Sequence, residues 1–305
     1  LVKNFLLIKN FLSKTGVVEV SRRIRVGLIG VGNCASALVQ GVYFYQNADD
    51  DDQIPGLMHV NFGGYHISDL EFSVGFDVNR HKINRDLSEA ILAPPNCCAR
   101  FTQVPHLNAE VLPGPILDGV APHMRESFYC YSEDIKPVDV VDVLRETKTE
   151  VLVNFLPVGS TQATRYYAKC ALEAGVAFAN CIPEFIASDP MWASRFEEAG
   201  LPVAGDDIKS QVGATIVHRV LTQLLIDRGV KIDETYQLNI GGNTDFENMT
   251  VEERLKTKRI SKTEAVTSLV PYKVPVRIGP SDYVPFLGDK KIPIIETPMK
   301  VRIQV

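Results

Sequence analysis

The stretch Ile24-Arg-Val-Gly-Leu-Ile29, followed by Gly30-Val-Gly32-Asn-Cys-Ala35-Ser36, decides the fold. Ile24 to Ile29 is a β-prone apolar run. Residues Cys34 to Gln40 are small or helix-forming, so the order is strand, tight turn, helix. Gly30, Gly32 and Ala35 have the spacing G-x-G-x-x-A. In that pattern the first glycine makes the turn and the second lets a pyrophosphate approach the backbone. The small third residue lets helix and strand pack closely, and the helix N-terminus offers N–H groups to the phosphates. A strand before the turn and a helix after it are the context that gives the pattern its meaning.

Working outward, an acidic residue for the ribose belongs about 20 residues on. Asp77, at the end of Phe72-Ser-Val-Gly-Phe-Asp77, stands 47 residues after Gly30. An insertion carrying Asn47-Ala-Asp-Asp-Asp-Asp-Gln53 and Pro55-Gly56 accounts for the delay. The other reading of Asp77 is capping at a strand end. The Asp run itself reads as a solvated loop. Pro94, Pro95 and Pro113-Gly-Pro predict irregular chain over 93–118. A short helix is predicted over 138–145, a strand over 150–155, a helix over 161–174 with Gly175 as its stop, and a strand over 176–181. Strands alternating with helices predict βαβ units and a mostly parallel sheet.

Composition shifts near Pro202. A polar loop over 205–213 leads to a helix over 216–226, a short strand over 237–240 and Gly241-Gly-Asn. A basic stretch and several β-prone runs follow Lys256. The expected organisation is an N-terminal extension over 1–20, a Rossmann domain over 21–203 and a second domain over 204–305. The fold class is α/β: a Rossmann-type doubly wound parallel sheet plus a mixed α+β domain for catalysis and oligomerisation.

The 305 residues carry a net charge of −5, with 45% hydrophobic and 23% charged residues. That composition is globular and argues against a general nucleic-acid or anionic-membrane binder. No run reaches the ~18–20 apolar residues of a membrane span. Leu1 to Gly16 reads as an amphipathic extension packing on the body rather than a signal segment, although the chain begins with Leu. The six cysteines, Cys34, Cys97, Cys98, Cys130, Cys170 and Cys181, are too sparse for a disulfide scaffold and lack zinc spacing, which suits a reducing cytoplasm. There is no Ser/His/Asp motif, HExxH, P-loop or CxxC. His218 sits on an apolar helix and reads as structural. The polar candidates of the second half are Asp206, Asp207, Lys209 and Ser210, then Asn239, Asn243, Asp245 and Asn248, then Lys258, Arg259, Lys262, Asp282, Asp289, Lys290 and Lys291. Lysines can hold a phosphate, stabilise an oxyanion or, where burial lowers their pKa, move a proton.

Gly205-Asp-Asp-Ile-Lys-Ser-Gln-Val-Gly-Ala-Thr-Ile-Val-His-Arg219 resembles the signature of myo-inositol-1-phosphate synthases, most closely the bacterial and archaeal branch. Pro55-Gly-Leu-Met-His-Val60, Asn154-Phe-Leu-Pro-Val-Gly-Ser160, Asn180-Cys-Ile-Pro183, Asn239-Ile-Gly-Gly-Asn243, Arg259-Ile-Ser-Lys-Thr263 and Gly279-Pro-Ser-Asp-Tyr283 fit in order, so the likeness spans about Arg25 to Lys291. It implies conversion of glucose 6-phosphate to 1L-myo-inositol 1-phosphate. The steps are NAD-dependent oxidation at carbon 5, enolisation, aldol cyclisation and re-reduction, with no net redox.

The resemblance implies that Lys209, Lys262, Asp289, Lys290 and Lys291 are catalytic. It places Gly30, Gly32, Asn33, Cys34, Ala35, Asp77, Asn79, Asn154, Pro157 and Asp206 on NAD. Ser210, Gln211, Gly213 and Ala214 fall on the substrate phosphate. It also leaves room for a divalent or monovalent cation and implies a cytoplasmic homotetramer that binds neither nucleic acid nor membrane. Gly213 stands where eukaryotic members have a second lysine, as in prokaryotic members. The family pattern also continues beyond the equivalent of Val305 into Asp-Ser-Pro-Asn-Ser and a returning helix. The competing readings are a non-catalytic NAD- or sugar-phosphate-binding relative and an NAD-dependent dehydrogenase.

Overall fold

The computed structural model describes residues 23–49, 52–208 and 212–297, and the backbone of 299–300. The N-terminal extension and the expected site residues Lys209, Ser210 and Gln211 lie outside the described residues. The chain divides into two compact units, with Asp206 ending the first and Asp207 beginning the second.

The first unit runs β1 (Ile24–Ile29), α1 (Asn33–Tyr45), a hairpin of β2 (Asn61–Phe62) and β3 (Tyr65–His66), β4 (Leu70–Asp77), β5 (Arg85–Asp86), α2 (Leu87–Ala90) and β6 (Glu110–Pro113). It continues with α3 (Val140–Glu146), β7 (Val151–Asn154), α4 (Thr161–Ala174), β8 (Ala177–Asn180), α5 (Pro190–Glu198) and β9 (Val203–Ala204). The sheet order is β5-β6-β4-β1-β7-β8-β9, parallel throughout except for β5 against β6. Apart from β5, the strands in chain order occupy the positions of a doubly wound dinucleotide-binding sheet, with the order reversing between β1 and β7.

Both faces of this sheet are covered. Ile29, Phe76, Leu152 and Phe178 pack with Leu144 and Tyr167 in one layer, and Leu28, Phe72 and Val111 pack with Val39 and Leu87 in the other. Central strands buried on both sides read as continuous apolar runs, which is why β1 and β4 were legible. A register shift opposite Val26/Gly27 puts Phe72 and Val74 in opposite layers although they stand two residues apart. The helices start where their caps predict: Asp139 accepts from the N–H groups of Val141 and Asp142, and Asp189 from those of Met191 and Trp192. Gly175 ends α4 at φ 77°.

The irregular stretch expected over 93–118 requires correction, because it contains β6. Parallel pairing of Gly75, Phe76 and Asp77 with Val111, Leu112 and Pro113 recruits it, and the proline falls at its last position, where the ladder ends.

The second unit contains α6 (Ala214–Asp227), β10 (Lys231–Ile232), β11 (Thr235–Gly241), α7 (Thr244–Asn248), α8 (Lys256–Thr267), β12 (Val276–Tyr283), β13 (Lys291–Glu296) and β14 (Met299–Lys300). β11 lies between parallel β12 and antiparallel β13, and β10 pairs with β14. Alternation along β11 buries Thr235, Gln237 and Asn239. His218, fully buried on α6, places its Nε2 2.8 Å from Thr235 Oγ1, and burial lowers its pKa. Among the described residues no helix is long and apolar enough to cross a membrane.

Candidate active site

In the first unit the site grows from the carboxyl ends of β1, β4 and β7. Gly30 has φ 79°, and a Cβ there would stand 3.0 Å from the Phe155 carbonyl oxygen, so the turn requires glycine. Gly32 is the N-cap of α1, and a Cβ on it would meet nothing within 4 Å. The backbone there is open to a ligand. Ala35 is fully buried between helix and sheet. Asn33 ties the turn to the following loop, its Oδ1 accepting from the N–H groups of Cys97 (2.8 Å) and Cys98 (3.0 Å). Cys34 is exposed at the start of α1.

Asp77 ends β4 beside this turn. Its Oδ2 accepts from the Val31 N–H at 2.7 Å, and its Oδ1 from the N–H groups of Val78 and Asn79. Lys82, fully buried, lies 4.0 Å from Asp77 Oδ2 and donates to the Val31 carbonyl and to Asn96 Oδ1, each at 2.8 Å. Asn79 is itself fully buried and uses its amide internally, donating to the Phe128 carbonyl and accepting from the His81 N–H.

On the other side of the strand-order reversal, Asn154 donates from Nδ2 to Asn180 Oδ1 (2.9 Å) and accepts from the Leu156 N–H. Pro157 follows in the half-buried loop after β7. Asn180 in turn donates to Asp206 Oδ1 at 2.7 Å. The Asp206 carboxylate also accepts from the N–H groups of Ile186, Ala187 and Ser188 and from the Ser188 hydroxyl. Asp206 is thus the knot that holds the loop after β8. A Cβ on the adjacent Gly205 would fall 2.7 Å from the Asn180 carbonyl oxygen, which leaves room only for glycine.

In the second unit α8 carries Lys258 and Lys262, one turn apart and on one face. Lys258 donates to Asp245 Oδ2 at 3.1 Å. Lys262 is 9% exposed, and its pKa is pushed down to about 7. Burial is the main cause, followed by the charges of Lys258 and Lys291, with Asp245 and Asp207 opposing. Lys291 opens β13 with its ammonium 5.8 Å from the centre of the Phe246 ring. Desolvation and then Lys258 lower its pKa. Ser261 donates to Asp207, and Asn243 donates to Asp289 Oδ1 at 2.8 Å. Lys258, Arg259 and Lys262 line a small depression floored by Ile278 and Gly279. Asp289 and Lys290 are exposed in the turn before β13, and Gly213 and Ala214 form the N-terminus of α6.

The structure therefore gathers Lys262 and Lys291 around Lys258 and Asp245, two residues whose part in the cluster the sequence left undefined. The signal for Lys258 was its four-residue spacing from Lys262. Lys82 and Asn96 were missed, because a lysine amid polar residues reads as surface. Among the described residues no three His, Cys, Asp or Glu side chains gather to hold a metal ion.

A family model described as myo-inositol-1-phosphate synthase matches residues 213–304. The chain is 54% identical over 276 residues to an inositol-3-phosphate synthase of Mycobacterium tuberculosis, covering 90% of this chain and 75% of that protein. It is 51% identical to the inositol-3-phosphate synthase of Corynebacterium glutamicum, covering 88% of this chain and 76% of that one. Among solved structures, a myo-inositol-1-phosphate synthase-related protein from Thermotoga maritima superposes with a TM-score of 0.71 at 26% identity, covering 91% of this chain and 78% of that one. The inositol-3-phosphate synthase of Caenorhabditis elegans superposes at 0.64 and 16% identity over 93% and 69% of the two chains, a likeness of fold.

Proposed function

Since this chain belongs to the myo-inositol-1-phosphate synthase family, enzymes of inositol-phosphate synthesis, we propose that it converts glucose 6-phosphate to 1L-myo-inositol 1-phosphate with NAD as a recycled cofactor. The observation that carries the reading is Lys262, a lysine held near neutrality among Lys258, Lys291 and Asp245.

The residues at the end of β1 suit a dinucleotide, because Gly32 leaves the backbone open where a pyrophosphate would lie. Gly30, Gly32, Asn33, Cys34 and Ala35 form the cradle, Asp77 takes the ribose, and Asn154 and Pro157 border the nicotinamide end. Asn79 and Asp206 contribute by fixing the loops around it. NAD bound there supplies reversible oxidation of the carbon 5 hydroxyl, so that the overall reaction has no net redox.

Lys262, with much of its population neutral near pH 7, accepts a carbon 6 proton once carbon 5 is a ketone. The oxygens that gain charge during enolisation and ring closure need fixed cations in a water-poor site. Lys258 and Lys291 supply them, and the resemblance adds Lys209, together with Asp289 and Lys290, both exposed in the turn before β13. The substrate phosphate falls to the N–H groups opening α6 at Gly213 and Ala214, and the resemblance adds Ser210 and Gln211, which lie outside the described residues. A divalent or monovalent cation and a cytoplasmic homotetramer complete the reading by resemblance.

The test is purified protein with glucose 6-phosphate and substoichiometric NAD, assayed for inositol phosphate and for NADH absorbance. Product exceeding the NAD supplied, without NADH accumulation, is the expected result. NADH accumulating with substrate would indicate a dehydrogenase. Bound NAD with neither signal would indicate a binding relative.

A further inference from the structure

Lys82 is an unusual residue to find fully buried, because a lysine rarely leaves water without a partner that needs it. Its ammonium does not point at open space. It donates to the carbonyl of Val31, the residue between Gly30 and Gly32, at 2.8 Å. Asn96 Nδ2 donates to the same carbonyl at 3.0 Å, and Asn96 Oδ1 accepts from Lys82. On the other side of the residue, Asp77 Oδ2 accepts from the Val31 N–H at 2.7 Å. Val31 is gripped at both its polar groups by side chains from outside the turn.

The geometry of the peptide unit gives this grip a consequence. The Val31 carbonyl and the Gly32 N–H belong to one planar trans peptide and point in opposite directions. Drawing the carbonyl into the protein therefore turns the Gly32 N–H the opposite way, on a residue whose Cβ position has nothing within 4 Å of it. We propose that Lys82 is a positioning residue of the dinucleotide turn, holding the Val31 carbonyl inward so that the Gly32 N–H is presented to the cofactor's pyrophosphate. The proposal rests on the NAD reading above and adds a residue to it.

Lys82→Met keeps the apolar stem and removes the donor. The full-length variant, stripped of bound nucleotide, is titrated by calorimetry with NAD, ADP and adenosine beside the unaltered protein. NAD and ADP, which carry the pyrophosphate, are expected to bind about tenfold more weakly, the scale of one charge-assisted hydrogen bond. Adenosine is expected to bind equally to both proteins. The KM for NAD is expected to rise by a larger factor than kcat falls. Equal weakening of all three ligands would show a merely structural residue and overturn the proposal, as would undiminished NAD and ADP binding. Should Lys82→Met fail to fold, Asn96→Ala removes the second donor to the same carbonyl and carries the same comparison, with an expected loss of about threefold. An unaltered protein that binds neither NAD nor ADP would overturn this proposal and the cofactor reading together. An unaltered protein that binds both, beside a variant that binds them equally well, would overturn only this one.

Discussion

Replacing Lys262 by Met should make the protein more stable and inactive. Lys262 is 9% exposed, with its pKa pushed from 10.5 to about 7. The unfolded chain holds that proton up to about pH 10, whereas the folded chain releases it near pH 7. Between those values the unfolded state binds more protons, so stability rises with pH across the window. Below about pH 7 the whole penalty acts against folding, on the order of 5 kcal/mol at ~1.4 kcal/mol per pH unit of displacement. By about pH 9 roughly 2 kcal/mol of it remains. Methionine fills nearly the same volume and cannot be charged, so the penalty disappears at every pH. Urea unfolding followed by circular dichroism should therefore find Lys262→Met more stable than the parent by several kcal/mol near pH 6. The difference should shrink by about 3 kcal/mol near pH 9. Loss of turnover in the same variant would mark a residue retained for chemistry at a cost in stability. A variant no more stable near pH 6, or a difference that does not change with pH, would refute the reasoning.

Lys258→Met removes a cation that lowers the Lys262 pKa, so the acid limb of the pH–rate profile should move to higher pH; a limb that stays put would exclude the coupling. Asp245→Asn removes an opposing charge, and the limb should move the other way. Gly30→Ala should destabilise the first unit by about 1–3 kcal/mol, since it sets a Cβ at φ 79° against the Phe155 carbonyl, and should weaken NAD binding in the same titration. Asp206→Asn replaces an acceptor of five hydrogen bonds with a group that is half donor, and thermal unfolding should report a loss of about 2–3 kcal/mol.

What could be read from the chain divides along physical lines. β1 and β4 announced themselves because strands buried on both faces must be apolar along their length, and β7 and β8 showed as short apolar runs alternating with helices. The two-residue strands β5 and β9 have no periodicity to display, and β6 stands beside prolines. Their pairing is decided by neighbours distant in sequence. In the second unit β11 places Thr235, Gln237 and Asn239 on its buried face, so polarity there predicts neither exposure nor loop. Lys262 was legible as a residue of interest through its motif. Its lowered pKa was not, because that depends on burial and on Lys258 and Lys291.

Asp77 shows why distance along the chain misleads where strand register does not. It stands 47 residues after Gly30, far beyond the usual spacing of about 20. The excess is accommodated by the β2–β3 hairpin and the loops around it, between α1 and β4. Beyond that insertion, parallel pairing sets Phe76 opposite Ile29, and the Gly30 N–H donates to the Phe76 carbonyl at 2.9 Å. Asp77 is thereby delivered to the turn whatever the length of the insertion. The same register leaves room five residues later for Lys82 to reach back to Val31. An acid at one polar group of that residue and a cation at the other are both consequences of one strand pairing. Moving the pairing by a single residue would exchange the layers of β4 and strip both contacts from the turn at once.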